Sequence, residues 1–428
     1  MSLGLGGRVL RGLPRLQDPQ ENNGVGWREL ADPLEEVFTA ALESRIFRKR
    51  WVLLPDYVPE ELPHREAELR RLAEVLAPAL RGEKPSNALL YGLTGTGKTA
   101  VARLVLRRLE ARASGLGVMV KPIYVNARHR ETPYRVASAI AEAIGVRVPF
   151  TGLSVGEVYE RLVKRLSRLR GIHIIVLDEI DFLPKRPGGQ DLLYRITRIN
   201  QELGERVWVS LVGITNSLGF VENLEPRVKS SLGEVELVFP PYTAPQLRDI
   251  LDARAAEAFN PDVLDPDVVP LCAALAAREH GDARRALDLL RVAGEIAERR
   301  RENRVRREHV YSARAEIERD RVSEVVRTLP LHAKLVLLSI MMLEEGGKPA
   351  STGEIYERYK ELTSTLGLEH VTLRRVSGII SELDMLGIVK SRVVSRGRYG
   401  KTREVSLDAD RLAVENALSE DPFVARLL

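Results

Sequence analysis

What the chain has little of sets the first limits. It holds a single cysteine, Cys272, in 428 residues, so no intrachain disulfide framework is available and a reducing, cytoplasmic interior is expected. The apolar neighbours Leu271 and Ala273 read as the setting of a core thiol rather than a reactive one. Long apolar runs are missing too. The longest, 335–343, is interrupted by Ser339 and falls far short of the roughly 20 residues that a bilayer span requires, so no membrane partner is expected. The opening stretch MSLGLGGRVLRGLPRL lacks the continuous apolar segment of a secretory signal. Nor does one sign of charge dominate: 65 Lys and Arg stand against 60 Asp and Glu, a net +5. That balance reads as a solvated surface unless the positions of the cations say otherwise. With 44% hydrophobic and 29% charged residues the chain belongs to the soluble globular class, and its length exceeds what one core supports, so two or three domains are expected.

The stretch NALLYGLTGTGKT, 87–99, organises the rest. An apolar run, Ala88-Leu89-Leu90-Tyr91, reads as a buried strand. It leads directly into Gly92-Leu93-Thr94-Gly95-Thr96-Gly97-Lys98-Thr99 and then into a helical pattern over 100–112. This is the spacing of a phosphate-binding loop. Glycines let the backbone fold tightly enough for successive N–H groups to face phosphate oxygens, and the positive end of the following helix adds to that field. Lys98 is placed for the β- and γ-phosphates and Thr99 for Mg²⁺. Thr94, Gly95, Thr96, Gly97 and Ala100 complete the cradle for ATP or ADP.

Elsewhere, residues 1–31, rich in Gly, Pro and Asn, read as a mobile tail, and 33–49 as an amphipathic helix. The Pro-broken segment around Val58 and Pro59 reads either as a wrap for the adenine or as a plain connecting loop. Strands are expected at 120–126, 172–177 and 207–214, a short strand and turn at 236–241, and helices at 66–80, 132–144 and 154–169. The apolar run 172–177 ends in Asp178-Glu179. At that strand tip Asp178 can hold Mg²⁺ and Glu179 can polarise an attacking water. Asn216, at the tip of the 207–214 strand, is placed for the γ-phosphate or that water. Alternating strands and helices imply an α/β doubly wound parallel sheet over 32–242. A helical region follows over 243–318, in which Asp282 reads as a helix N-cap and Arg284 stands in the first turn, where a cation invites a phosphate as its explanation.

The run ERRRENRVRR at 298–307 reads as a solvated helix end. Beyond it, over 319–428, three helical patterns, the last at 371–386, precede a β-hairpin at 388–407, the order of a winged-helix module. The hairpin carries Arg396, Arg398, Tyr399 and Lys401 about its turn, and the third helix presents Thr372, Arg374 and Arg375. The first set suits phosphates beside a groove and the second suits base edges within one.

Taken together, YVPEELPHRE, GLTGTGKT, YVNARHRETPYRVA, IIVLDEID, LVGITN, LEPRVKSSL, FPPYTAPQL, GDARRALDLLR and the terminal winged helix resemble the archaeal initiator family related to the origin-recognition complex and the cell-division-control helicase loader, within the AAA+ ATPases. The resemblance covers nearly all of the chain after about Val52. It implies an AAA+ core, a helical lid and a winged helix, with Asn216 as first sensor, Arg284 as second sensor, and Tyr242 with Val58 and Pro59 at the nucleotide. A helical initiator motif around 128–150 would bring Arg128 and Arg130 to DNA. Arg227 falls where related ATPases place an arginine finger for a neighbouring subunit, although Ser230-Ser231 replaces the Ser-Arg of some relatives. The partners so implied are double-stranded origin DNA, the replicative helicase and other initiator subunits, with a nucleoid-associated protein that hydrolyses ATP slowly as a switch. A winged-helix transcription regulator or signalling ATPase is the alternative reading. A clamp loader or protein-remodelling ATPase fits less well, because neither needs a basic wing.

Overall fold

In a computed structural model, residues 44–217, 219–344, 348–395 and 401–428 are described. Five strands, β1 (Ala88–Tyr91), β2 (Val120–Asn126), β3 (Gly171–Asp178), β4 (Val207–Thr215) and β5 (Val235–Val238), form one parallel sheet in the order β2-β3-β4-β1-β5. Side chains alternate across it with the period of two that a strand imposes. Leu89, Ile123, Ile175, Leu177, Val209 and Leu211 enter one apolar cluster. Their neighbours Leu90, Ile174, Val176, Val212 and Ile214 enter another. Burial on both faces explains why these strands read as unbroken apolar runs.

Helices α1 (Glu66–Leu76), α2 (Lys98–Gly115), α3 (Ala127–Arg130), α4 (Pro133–Ala143), α5 (Val155–Leu166), α6 (Gly189–Arg198) and α7 (Pro226–Leu232) connect and cover the sheet. Several begin where capping chemistry predicts. Thr132 accepts the Arg135 N–H ahead of α4, and Ser154 with Glu157 forms a reciprocal box ahead of α5. The lid follows as α8 (Ala244–Ala258), α9 (Val268–Arg278), α10 (Ala283–Arg299) and the first half of α11 (Arg307–Thr328), which runs unbroken through residue 318. One part of the expected helix at 33–49 differs. Residues 45–49 are not helical: Phe47 forms an isolated bridge with Phe259, and the two rings pack 4.9 Å apart, so Ile46 and Phe47 are drawn into the core of the lid. The rest of that expected helix, and the expected mobile tail, lie outside the described residues. The basic run is held by ion pairs, Arg299 with Glu316, Arg304 with Asp265, and Arg306 with Glu302 and Glu308.

The C-terminal region holds α12 (Leu331–Leu343), α13 (Thr352–Thr365) and α14 (Leu373–Met385). The hairpin β7 (Val389–Ser395) and β8 (Lys401–Leu407) follows, extended by the short β6 (Ala350–Ser351) on β8. A further helix, α15 (Arg411–Ser419), absent from the sequence reading, buries Val414 and Leu418 in the same core.

Candidate functional site

The sheet carries its functional residues at the carboxyl ends of β1, β3 and β4, and they line a cleft of about 810 Å³. Gly95 and Gly97 take φ of +67° and +90° in the loop after β1, the left-handed region that glycine tolerates. Lys98, 5% exposed, donates from Nζ to the Gly92 carbonyl at 2.8 Å and the Leu93 carbonyl at 2.6 Å. Burial, and then the Arg284 cation, push its pKa down to about 8. Two cations facing one cleft repel each other unless an anion is bound between them. Across the cleft the Thr99 hydroxyl donates to Asp178 Oδ2 at 3.0 Å. The Tyr124 hydroxyl donates to the same oxygen, and burial first, then this bond, raise its pKa. Glu179 adopts φ +52°, a strained angle for a residue with a side chain. Its carboxylate accepts from Asn126 Nδ2 at 3.1 Å and pairs with Arg128 at 3.3 Å. Asn216 is exposed at the end of β4 and lines the cleft, while Thr215 beside it donates to Asp181 at 2.9 Å.

The lid closes the cleft from the other side. Asp282 caps α10, accepting the N–H groups of Arg284 at 2.7 Å and Arg285 at 3.2 Å, and the Ala283 N–H donates to the Gly95 carbonyl at 3.1 Å. Arg284 is exposed within the cleft. Tyr242, where the lid begins, also lines it, with a hydroxyl pushed up to about 12 by burial. Pro59 joins Tyr57, Leu62 and Ile250 in the apolar end of the cleft, whereas Val58 is half-buried beside it and Thr94 is exposed on the loop tip, neither one lining the cavity. Arg227 stands apart from the cleft on α7. It donates to Glu225 at 2.6 Å and lies over the Tyr194 ring at 4.8 Å.

This arrangement has close relatives. Residues 81–219 match the family described as AAA domain, 248–315 the Cdc6 AAA+ ATPase-type lid domain, and 324–417 the CDC6 C terminal winged helix domain. The chain is 96% identical to the ORC1-type DNA replication protein 1 of Aeropyrum pernix over 92% of its own length and all of that protein's. It is 55% identical to the protein of that name from Sulfurisphaera tokodaii over 92% of its length and 98% of that protein's. It belongs to the archaeal ORC1-type DNA replication protein family. Among solved structures it superposes on the Aeropyrum pernix ORC1 protein in complex with DNA with a TM-score of 0.82 and 95% identity, covering 90% of this chain and all of that one. For Cdc6p from Pyrobaculum aerophilum the TM-score is 0.56, at 25% identity over 90% of this chain and all of that one.

In this ORC1-type chain the AAA+ cleft gathers Asp178, Glu179, Asn216, Lys98, Thr99 and Arg284, all named from the sequence. Four residues that sequence reasoning passed over stand with them. Tyr124 and Asn126 come from β2, and Arg254 and Glu257 from α8. Tyr57 donates to Glu257 at 3.1 Å, and Arg254 lies 4.6 Å over the Tyr57 ring. The polar end of VKPIYVN, next to the acid-tipped β3, was the available clue for Tyr124 and Asn126. On the winged helix Thr372 caps α14, accepting the Arg375 N–H at 3.4 Å. Arg375 itself bonds Glu382 at 2.7 Å, and Arg374 is exposed. Lys401 opens β8, while Arg396, Arg398 and Tyr399 lie outside the described residues. Arg128 and Arg130 are both exposed on α3, Arg128 turned to Glu179.

Proposed function

We propose that this chain is an ATP-regulated replication initiator that binds double-stranded origin DNA and recruits or loads the replicative helicase, with slow ATP hydrolysis acting as a switch. The observation that carries this reading is the wall shared by core and lid. Lys98 and Arg284 face one cleft from two domains, and the lid helix bonds to the phosphate loop through Ala283 and Gly95. A ligand touching both cations biases how the two parts sit together, which is what a nucleotide switch requires. The chemistry MgATP supplies when bound is a phosphoanhydride with concentrated negative charge. The residues present fit it. Lys98 and Arg284 offset that charge, and the phosphate loop presents backbone N–H groups. Thr99 and Asp178 are hard oxygen donors of the kind Mg²⁺ takes. Glu179 orients and accepts from the attacking water, and Asn216 stands where it can hold the same water.

DNA recognition is assigned to α14 and the hairpin. Arg374 and Thr372 open a helix suited to the major groove, and the Arg396, Arg398, Tyr399 and Lys401 set suits the backbone and minor groove. The Aeropyrum pernix ORC1 protein was solved in complex with DNA, which supports DNA binding as such. Other initiator subunits are the partners against which Arg227 would act. Footprinting of the full chain on chromosomal DNA tests the reading. Protection concentrated at replication-start repeats is expected, and protection confined to promoters would favour a transcription regulator instead.

A further inference from the structure

Behind the phosphate loop lies a cation to which nothing above gives a role. Arg65, the residue before α1, is 2% exposed. A charge that deep is costly unless its donors are satisfied. Nε donates to the Thr96 carbonyl at 2.9 Å and one terminal nitrogen to the Pro240 carbonyl at 2.6 Å. The other terminal nitrogen donates to the His64 carbonyl at 3.0 Å and pairs with Glu68 at 3.4 Å. The guanidinium carbon lies over the Tyr242 ring, 3.8 Å from its centre. The hydroxyl of that ring stands so near the loop that a Cβ on Gly97 would come within 2.7 Å of it.

The identity of the two distant carbonyls matters. In a trans peptide the C=O and the following N–H point in opposite directions. Holding the Thr96 oxygen toward Arg65 therefore turns the Gly97 N–H away from Arg65, and Gly97 itself lines the cleft while Arg65 does not. Pro240 belongs to the segment between β5 and α8, the joint from core to lid. We propose that Arg65 is a positioning residue for nucleotide: it fixes the Thr96–Gly97 peptide with its N–H offered to phosphate and ties that peptide to the core–lid joint. It does so without touching the ligand. The inference deepens, and rests on, the nucleotide-switch reading.

The test uses the full chain with Mg²⁺ and compares ATP, ADP and adenosine by competition against a fluorescent ADP analogue. Arg65→Lys keeps the charge, but a single ammonium lacks the fork that bridges two carbonyls. Affinity for ATP and ADP should fall roughly 10- to 100-fold, the worth of one or two charge-assisted hydrogen bonds. Adenosine, which has no phosphate, should bind within about twofold of the parent. Unchanged ATP affinity in a parent that binds ATP would overturn the assignment alone, as would an equal loss for adenosine, which marks general loosening. A parent that binds no ATP would remove the nucleotide reading and this proposal with it. If Arg65→Lys does not fold, Arg65→Gln, whose neutral amide keeps a donor but loses the charged fork, serves in its place. ATP should then weaken roughly 10- to 100-fold more than adenosine, and parallel losses would overturn the proposal.

Discussion

Replacing Gly95 by alanine probes the contact between phosphate loop and lid most sharply. The residue sits at φ +67°, where an L side chain costs roughly 1–2 kcal/mol. A Cβ there would stand 1.7 Å from Asp282 Oδ1 and 2.1 Å from its Cγ, so the Asp282 carboxylate must leave. That forfeits the cap on Arg284 and Arg285, a loss of about 0.5–2 kcal/mol. Gly95→Ala should therefore cost the folded protein roughly 1.5–4 kcal/mol in all, of which the lost cap, about 0.5–2 kcal/mol, falls on the start of α10. In an Asp282→Ala background the cap is already gone and no carboxylate remains to strike. There the same change should cost only the backbone strain, about 1–2 kcal/mol. The coupling between the two sites is then about 0.5–2 kcal/mol. Native-state hydrogen exchange on a peptide spanning residues 282–290, followed in the parent, both single variants and the double variant, reads that local opening free energy directly. Additivity within about 0.3 kcal/mol would refute the contact as described.

Lys98→Ala should abolish tight nucleotide binding and leave circular dichroism unchanged, because among the described residues Nζ donates only to the carbonyls and hydroxyl of its own loop. In the parent, phosphate favours the ammonium of a lysine whose pKa is about 8. Calorimetry should thus show proton uptake on binding and an affinity that falls as pH rises above that value, by up to about tenfold per unit, a slope absent from Lys98→Ala. Glu179→Gln keeps the size and the bond from Asn126 but cannot accept a proton. ATP should stay bound while phosphate release drops to background, and turnover equal to the parent would exclude Glu179 as the base. On DNA, Arg374→Ala should relax preference at one base pair by roughly 1–3 kcal/mol. Changing Arg396, Arg398 and Lys401 together to Ala should weaken all duplexes alike and reduce the salt slope by about 0.9 per lost phosphate contact.

Much of the fold was legible because it is written locally. The runs at β1, β3 and β4 are apolar on both faces, the phosphate loop has fixed spacing, and Asp178-Glu179 follows a buried strand directly. Capping at Thr132, Ser154 and Asp282 is equally local. What was missed depends on distant partners. Arg65 stands among prolines and acids and reads as a connector, and its burial is determined by carbonyls 31 and 175 residues away. Ile46 continues a helical apolar period, yet the tertiary pairing of its neighbour Phe47 with Phe259 overrides it. Tyr124 occupies an outward position of β2 and gains its role only because β3 brings Asp178 alongside. The α15 helix lay beyond the hairpin that completed the winged-helix pattern, and Leu412, 67% exposed, dilutes its apolar period.

The central claim is that nucleotide held between core and lid governs a sequence-selective DNA grip. It is tested most directly by binding isotherms of the full chain on a footprinted origin duplex and on a random duplex of equal length, each with ATP and with ADP across a salt series. The account predicts a preference for the origin duplex of roughly 10³-fold or more at physiological salt, a linear fall of log affinity with log salt for both, and an origin affinity that differs between ATP and ADP. Equal affinity for the two duplexes at every salt concentration, unchanged by nucleotide, would contradict it.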